Sequence, residues 1–193
     1  TNNNTGTVTV SSAGGFVLNG NLTQGVGSTL SLAPANPFPL GSGTFDASTN
    51  ANTVNYTGVA PTVKAVAYKT LGLSGSGAAT MTGVTTIGTD FNMSGSVTAT
   101  PVITTVGGNV SITGTAVMTT GAANVVTGTL TVGTGSTLTM GAFALTIGGI
   151  SDITGTINTT SATGTKTFTG AVTVNTGGVW DFSTGGPAVS LAA

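Results

Sequence analysis

The chain has 193 residues, and only 4% of them are charged: three Lys or Arg against four Asp or Glu, for a formal net charge of −1. An ordinary globular domain carries about 25% charged residues. Cys and His are absent, which excludes thiol catalysis, His-dependent triads and zinc sites of the usual kind. The near-neutral charge offers no electrostatic attraction for nucleic acid, so none is expected as a partner.

The composition predicts a folded β protein. Hydrophobic residues make up 38% of the chain, whereas disordered segments combine low hydrophobicity with high net charge. Val, Ile and Thr, which are abundant here, favour strands. No apolar run reaches the 18 or more residues typical of a membrane-spanning helix. Because a soluble monomer normally carries more surface charge, the low charge indicates that assembly is the functional state.

Residues 1–12 are predicted to form an N-terminal tail. They run from an Asn-rich segment into the alternating sequence TVTV at residues 7–10, which predicts a strand. Lying behind a loose polar segment, this strand is a candidate for exchange with another subunit. The chain begins at Thr1 without a Met or an apolar leader, and we therefore expect a processed, exported form.

Residues 13–69 are predicted to be an irregular N-terminal β region or cap. Short strands are expected at residues 16–18, 53–56 and 61–68. Between them, residues 33–48 hold three prolines and read as a loop, because Pro cannot donate to a central strand.

Residues 70–193 are predicted to be a regular β-solenoid. Six similar units are 19–21 residues apart and begin at Leu71, Phe91, Val110, Leu130, Ser151 and Val172. Each unit has an apolar residue two places after its start and a Gly near its fifth or sixth position. A period of about 20 residues without helical periodicity is typical of stacked β coils.

The predicted fold is therefore all-β, a parallel β-solenoid (β-helix) with coils of about 20 residues. Coils stacked about 4.8 Å apart pair their backbone groups with the coils above and below. The alternative is an antiparallel β-sandwich with strand exchange, whose strands also recur at short intervals. A sandwich does not require apolar and Gly columns to recur every 20 residues, so the periodicity favours the solenoid.

The run LTVGTGSTLTMGAFALTIGGISDITGTINTTSATGTKTFTGAVTVNTGGVWDFS, residues 130–183, resembles the repeats of large secreted bacterial surface proteins. The segment TVNYTGVAPTVKAVAYKTLGLSGSG, residues 53–77, is similar. Such repeats are adhesin-like or autotransporter-passenger-like. The resemblance covers residues 43–183 and implies a β-solenoid fold, export, an extracellular or cell-surface location and a structural or adhesive role. It implies no catalytic residues.

The few carboxylates do not predict an active site. Glycoside hydrolysis needs two carboxyl groups roughly 5–10 Å apart. Asp90 and Asp152 lie three units apart, which corresponds to roughly 14 Å at about 4.8 Å per coil. Trp180 and Phe182 are separated by one residue and share a face, which is more typical of a core than of a sugar platform. We expect no enzyme, metal or cofactor; a carbohydrate-active β-helix is the remaining catalytic alternative.

A solenoid has two open ends, and these are the predicted assembly interface. Natural proteins normally cover or charge such edges, but the last residues, 189–193, are uncharged. The interface is assigned to Thr7, Val8, Thr9, Val10, Val189, Ser190 and Leu191. Coils would stack end to end between subunits, or the N-terminal strand would be added to a neighbour's sheet.

The sequence thus predicts a structural subunit of an extracellular or cell-surface filament. Its main partners would be other copies of itself, with cell-surface components or polysaccharide as further ones. The alternative is a stalk module of a larger bacterial adhesin.

Overall fold

The structure is a computed structural model that describes residues 1–15 and 17–191. It is an all-β solenoid in which every strand pair among the described residues is parallel. The predicted fold class is confirmed, and the antiparallel sandwich is wrong. In the described part of the chain, no helix is long and apolar enough to cross a membrane.

Three sheets run along the solenoid, one on each face. The first has nine strands: β1 (Thr7–Val10), β3 (Thr29–Leu32), β5 (Thr53–Tyr56), β6 (Thr70–Leu73), β9 (Phe91–Met93), β12 (Val110–Ile112), β15 (Leu130–Val132), β18 (Ser151–Ile153) and β21 (Val172–Val174). The second has six: β7 (Ser76–Ala79), β10 (Ser96–Ala99), β13 (Val117–Thr119), β16 (Thr137–Met140), β19 (Thr156–Thr159) and β22 (Val179–Asp181).

The third sheet also has six strands: β8 (Thr86–Ile87), β11 (Thr105–Val106), β14 (Asn124–Val126), β17 (Leu145–Ile147), β20 (Lys166–Phe168) and β23 (Val189–Leu191). A separate pair, β2 (Leu22–Thr23) and β4 (Phe45–Asp46), lies in the N-terminal coils. Within each complete coil the chain therefore visits the first, second and third sheets in turn.

The predicted register of the periodic part is confirmed. The six unit starts, from Leu71 to Val172, are paired one to the next along the first sheet. The same column extends through the N-terminal coils to Val54, Leu30 and Val8. A second inward column, two residues further along each strand, runs from Val10 to Val174. These two columns form one wall of the hydrophobic core.

A column of glycines makes the corner between the first and second sheets. Gly95, Gly114 and Gly135 have φ angles of 68°, 68° and 81°. This left-handed region is strained for a residue with a Cβ and accessible to Gly. The sharp turn lets the chain leave one face and enter the next within two to four residues, which explains the periodic Gly in the sequence.

The N-terminal coils differ from the rest in coil length. Successive strands of the first sheet place Thr7 opposite Thr29, Thr29 opposite Thr53 and Thr53 opposite Thr70. The first sheet continues without a break across the two predicted boundaries, between residues 12 and 13 and between residues 69 and 70. What differs is the second face, where residues 33–44 form bends and loops instead of a strand. The loop predicted over residues 33–48 is wrong at its end, because Phe45–Asp46 form β4.

Two short strands expected in this region are not formed. Residues 17 and 18 are not in a strand, and Phe16 lies outside the described residues. Residues 61–68 contain only isolated bridges at Thr62 and Tyr68. At the other end, Ala192 and Ala193 also lie outside the described residues.

Candidate assembly interfaces at the two ends of the solenoid

The N-terminal end of the solenoid presents strand β1. It pairs with β3 over four residues and is the terminal strand of the nine-stranded sheet, so its outer edge has no strand partner in the described part of the chain. Val8 is 36% exposed, and Val10 is half-buried. These two side chains, with Leu22 and Leu30, line a depression of about 270 Å³ at this end.

The Asn-rich tail folds over the third face of the N-terminal end. The Asn2 side-chain amide donates to Gln24 Oε1 at 2.9 Å, and the Gly25 N–H donates to the Asn2 carbonyl at 2.8 Å. The Asn2 and Asn4 side chains then accept from the N–H groups of Asn4 and Gly6. Asn2 thus ties the tail to the coil beneath it, and β1 is held on its own subunit by its pairing with β3.

The C-terminal end presents one terminal strand from each of the three sheets: β21, β22 and β23. Their inward side chains have no further coil above them among the described residues. Val174 is 45% exposed and Leu191 is 59% exposed. The residues one coil below them, Ile153 and Phe168, are fully buried. The last coil therefore leaves core positions of the solenoid open to solvent.

Two aromatic rings lie at this open end. Trp180 lies one coil above buried Ile157, and its indole N–H donates to Thr159 Oγ1 at 3.3 Å. The Trp180 ring stacks on Phe182 with centroids 5.2 Å apart and meets Phe168 edge-on at 5.1 Å. The predicted shared face is confirmed. Trp180 is half-buried and Phe182 is 44% exposed, because no further coil covers them among the described residues.

Charge does not block these edges. Strands β1, β21 and β23 contain no charged side chain. Asp181 in β22 points outward, and its carboxylate accepts the Ser183 N–H at 2.7 Å. That hydrogen bond lowers the pKa of Asp181. Natural edge strands are usually protected by Lys, Pro or a covering element. Within residues 1–15 and 17–191, the three uncharged strands have none of these on their outer edges.

The predicted interface residues lie at both ends, but they do not face one another. Thr7–Val10 form the first edge of the nine-stranded sheet, and Val189–Leu191 form the last edge of the third sheet. Strand β21 lies at the other end of the nine-stranded sheet that begins with β1. Sequence reasoning missed Val172–Val174, although a signal was present: the tripeptide VTV occurs at residues 8–10 and again at 172–174.

The carboxylates considered for catalysis are engaged in structural hydrogen bonds. Asp90 accepts the Asn109 N–H at 2.8 Å, and Asn109 Oδ1 accepts the Thr129 N–H at 2.9 Å, so the corner is linked from coil to coil. Asp152 accepts from the Asn175 side chain. Asp46 accepts the N–H groups of Ser48 and Thr49 at 3.0 and 3.1 Å.

The Asp46 turn lowers the pKa of its carboxyl, chiefly through its hydrogen bond with Thr49. The four carboxylates lie in different coils or on different faces. No group of three potential metal-ligating His, Cys, Asp or Glu side chains occurs in residues 1–15 and 17–191.

The most buried charge is Lys166, which occupies an inward position of the third sheet and is fully buried. Its Nζ donates to the carbonyls of Gly141, at 2.8 Å, and Phe143, both in the corner between β16 and β17. Burial lowers the pKa of Lys166. Both recorded partners are neutral carbonyls, so this amine links the core to a corner and has no carboxylate partner of the kind found in an acid–base pair.

Comparisons of the chain with protein-family models, with curated proteins and with solved structures found no match in any of the three. The β-solenoid architecture therefore rests on the parallel register and the buried columns described above.

Proposed function

We propose that this chain is a structural subunit of an extracellular or cell-surface filament, in which copies join end to end. The observation that supports it most is the open C-terminal coil, where the inward side chains of all three sheets are exposed or only half-buried at an unpaired strand edge. A second copy would cover these side chains and pair the backbone groups of the first sheet, whose other terminal strand, β1, lies at the opposite end. Because the two ends differ, the contact is heterologous and repeats into an open chain of subunits.

The extracellular location and the likeness to bacterial surface repeats belong to this proposal. They are supported by the low charge, the absence of Cys and the resemblance of residues 130–183. Cell-surface components or polysaccharide are proposed as further partners of the filament's sides.

A second candidate is a stalk module of a larger bacterial adhesin. The same open ends favour it, since a solenoid stalk continues from one coil to the next within one chain. The two candidates differ in what the isolated 193-residue chain does: a filament subunit polymerises, and a stalk module stays monomeric.

Electron microscopy and sedimentation of the purified protein over a range of concentrations test the proposal. We expect filaments whose axis is the solenoid axis. Val174→Lys should abolish the filaments, because it places an ammonium group in the interface that end-to-end contact would bury.

Val125→Lys is the matched control. Val125 is 47% exposed, close to the 45% of Val174, but it lies on the outer side of a central strand. This variant should still form filaments. Monodisperse wild-type monomers at high concentration would contradict the filament and favour the stalk module.

A further inference from the structure

We infer that the contact between subunits is a parallel pairing of β21 with β1 of the next copy, with Val172 opposite Val8, Thr173 opposite Thr9 and Val174 opposite Val10. This rests on the proposed function and deepens it, because it selects one of the two assembly mechanisms and fixes its register.

The direction of the strands permits this pairing by stacking alone. β1 and β21 are the two terminal strands of the same nine-stranded sheet, and all its pairs are parallel. A second copy displaced along the solenoid axis therefore brings its β1 against β21 in the orientation that every other neighbour has. The nine-stranded sheet continues into the next subunit without a change of strand direction.

The side chains of β1 and β21 match in identity and in orientation. Both strands read Val-Thr-Val, with the two Val inward and the Thr outward. A shift of one residue would place Thr9 opposite a Val of β21 and turn the inward columns toward solvent. The direct register places Val on Val in both columns and Thr on Thr outside.

Burial along the two columns shows what the contact would complete. Between Val8 and Val172, the members of the first column are at most 3% exposed: Leu30, Val54, Leu71, Phe91, Val110, Leu130 and Ser151. Between Val10 and Val174, the members of the second column are at most 1% exposed: Leu32, Tyr56, Leu73, Met93, Ile112, Val132 and Ile153. The terminal members break this pattern: Val8 and Val174 are exposed, and Val10 and Val172 are half-buried. In the proposed register Val8 would be covered by Val172 of the adjacent subunit, and Val174 by Val10.

This pairing keeps β1 on its own subunit. Its four register pairs with β3 and the Asn2–Gln24 hydrogen bond stay in place, and only the free outer edge of β1 is used. The occupant of the C-terminal edge is a second copy of the whole chain, and an N-terminal strand detached from its own coil is not required.

Disulfide cross-linking tests the register. The chain has no Cys, and Thr9 and Thr173 are exposed and outward-facing. Within one subunit these residues are eight strands apart, roughly 38 Å at about 4.8 Å per strand, too far for a disulfide. Oxidised filaments of T9C/T173C should therefore give a ladder of covalent multimers in denaturing gels. The single variants T9C and T173C are controls and should give no ladder.

A second variant tests whether β1 stays in place. Thr9 and Ser31 are paired in register on β1 and β3 of one subunit, so T9C/S31C should lock β1 to its own coil when oxidised. The locked protein should polymerise as well as the reduced protein does.

The outcomes distinguish the inferred pairing of β21 with β1 from the proposed filament itself. Wild-type filaments with a T9C/T173C ladder and a polymerising locked variant support the inference. Three results would overturn the inference and leave the filament proposal intact. They are wild-type filaments without the T9C/T173C ladder, a T9C single variant that dimerises in the filament, and a locked variant that fails to polymerise. Wild-type monomers at every concentration would overturn the proposed function itself.

Discussion

The phenolic oxygens of Tyr56 and Tyr68 lie 2.9 Å apart inside the N-terminal coils. The Tyr68 hydroxyl donates to the Lys64 carbonyl at 2.8 Å, and the Tyr56 oxygen accepts the Lys64 N–H at 3.0 Å. The two rings therefore hold the irregular segment around Lys64 in place of the regular strand pairing found further along the chain. Burial raises the pKa of Tyr56 to about 12 and that of Tyr68 well above its usual value of 10.0.

The tyrosine pair makes stability fall at alkaline pH. Above pH 10 the unfolded chain loses its phenolic protons while the folded chain keeps them. The folded state then binds more protons, so stability decreases as pH rises, by up to roughly 1.4 kcal/mol per pH unit for each such group. Urea unfolding between pH 9 and 12 measures this loss. Y56F/Y68F should show a much smaller alkaline loss; an equal loss would mean that other groups cause it.

Lys166 should contribute little to stability at neutral pH. Its ammonium is buried against two carbonyls, and an apolar residue of similar volume avoids the desolvation cost. We expect Lys166→Met to be within about 1 kcal/mol of wild type or more stable, and Lys166→Ala to be less stable because it leaves a cavity. Urea unfolding at pH 7 compares them.

The lowered pKa of Lys166 also predicts whether its contribution to the free energy of unfolding rises or falls with pH. The ordinary pKa of a lysine is 10.5, and below it the unfolded chain binds this proton more tightly than the folded chain does. This group's contribution therefore rises as pH increases through its folded pKa toward that value. Lys166→Met should lose this rise, and an unchanged slope would contradict the assignment.

Ser151 and Ser136 form a matched pair of buried serines. Each is 1% exposed, but Ser151 Oγ has no hydrogen-bond partner in the described structure, whereas Ser136 Oγ donates to the Ile112 or Gly133 carbonyl at 2.8 or 2.6 Å. Ser151→Ala should therefore stabilise the fold, or leave it unchanged, because an unpaired buried hydroxyl costs about 1–3 kcal/mol. Ser136→Ala should destabilise it by about 1 kcal/mol. Thermal unfolding of both variants checks the order.

Gly128 and Gly72 should differ in their tolerance of Ala. A Cβ at Gly128 would lie 2.7 Å from the backbone of Gly108, and one at Gly72 would lie against the Asn55 side chain. The backbone of a packed coil cannot move aside, whereas an amide side chain can rotate. Gly128→Ala should cost about 1–3 kcal/mol and Gly72→Ala much less, as measured by urea unfolding. Equal losses would contradict the importance of the backbone contact.

Trp180 should report assembly. It is the only Trp in the chain and is half-buried at the open end, stacked on Phe182. Covering this coil with another subunit removes water from the indole, so its emission should shift to shorter wavelength and iodide quenching should decrease as filaments form. Val174→Lys should show neither change. Filaments that leave the Trp180 emission unaltered would mean that the C-terminal coil is not the contact.

The register of the regular coils could be predicted from sequence because one coil equals one repeat. Leu71, Phe91 and Val110 recur at nearly constant spacing, and each lies directly above the preceding one. In the N-terminal part the same register continues, but Thr7, Thr29, Thr53 and Thr70 are unequally spaced. The Pro-rich loop lengthens the coil between Thr29 and Thr53, and the coil between Thr53 and Thr70 is shorter than the regular ones. A pattern search at fixed spacing cannot follow such a change.

Only part of the candidate interface could be predicted from the sequence. The position of Val189–Leu191 near the end of the sequence predicts that they form an edge, whereas Val172–Val174 lie 17 residues earlier in the sequence. In a solenoid, however, the last coil contributes a terminal strand to every sheet. The end of the structure therefore includes residues up to one full coil before the end of the chain.

By itself, the sequence determined that the chain folds as parallel stacked coils, since a 20-residue period of apolar and Gly positions has few other solutions. Only the tertiary structure decided which residues are left uncovered. Val132 and Val174 occupy the same inward column, and nothing in their local sequence distinguishes them. One is buried and the other is exposed because burial depends on whether a further coil lies above.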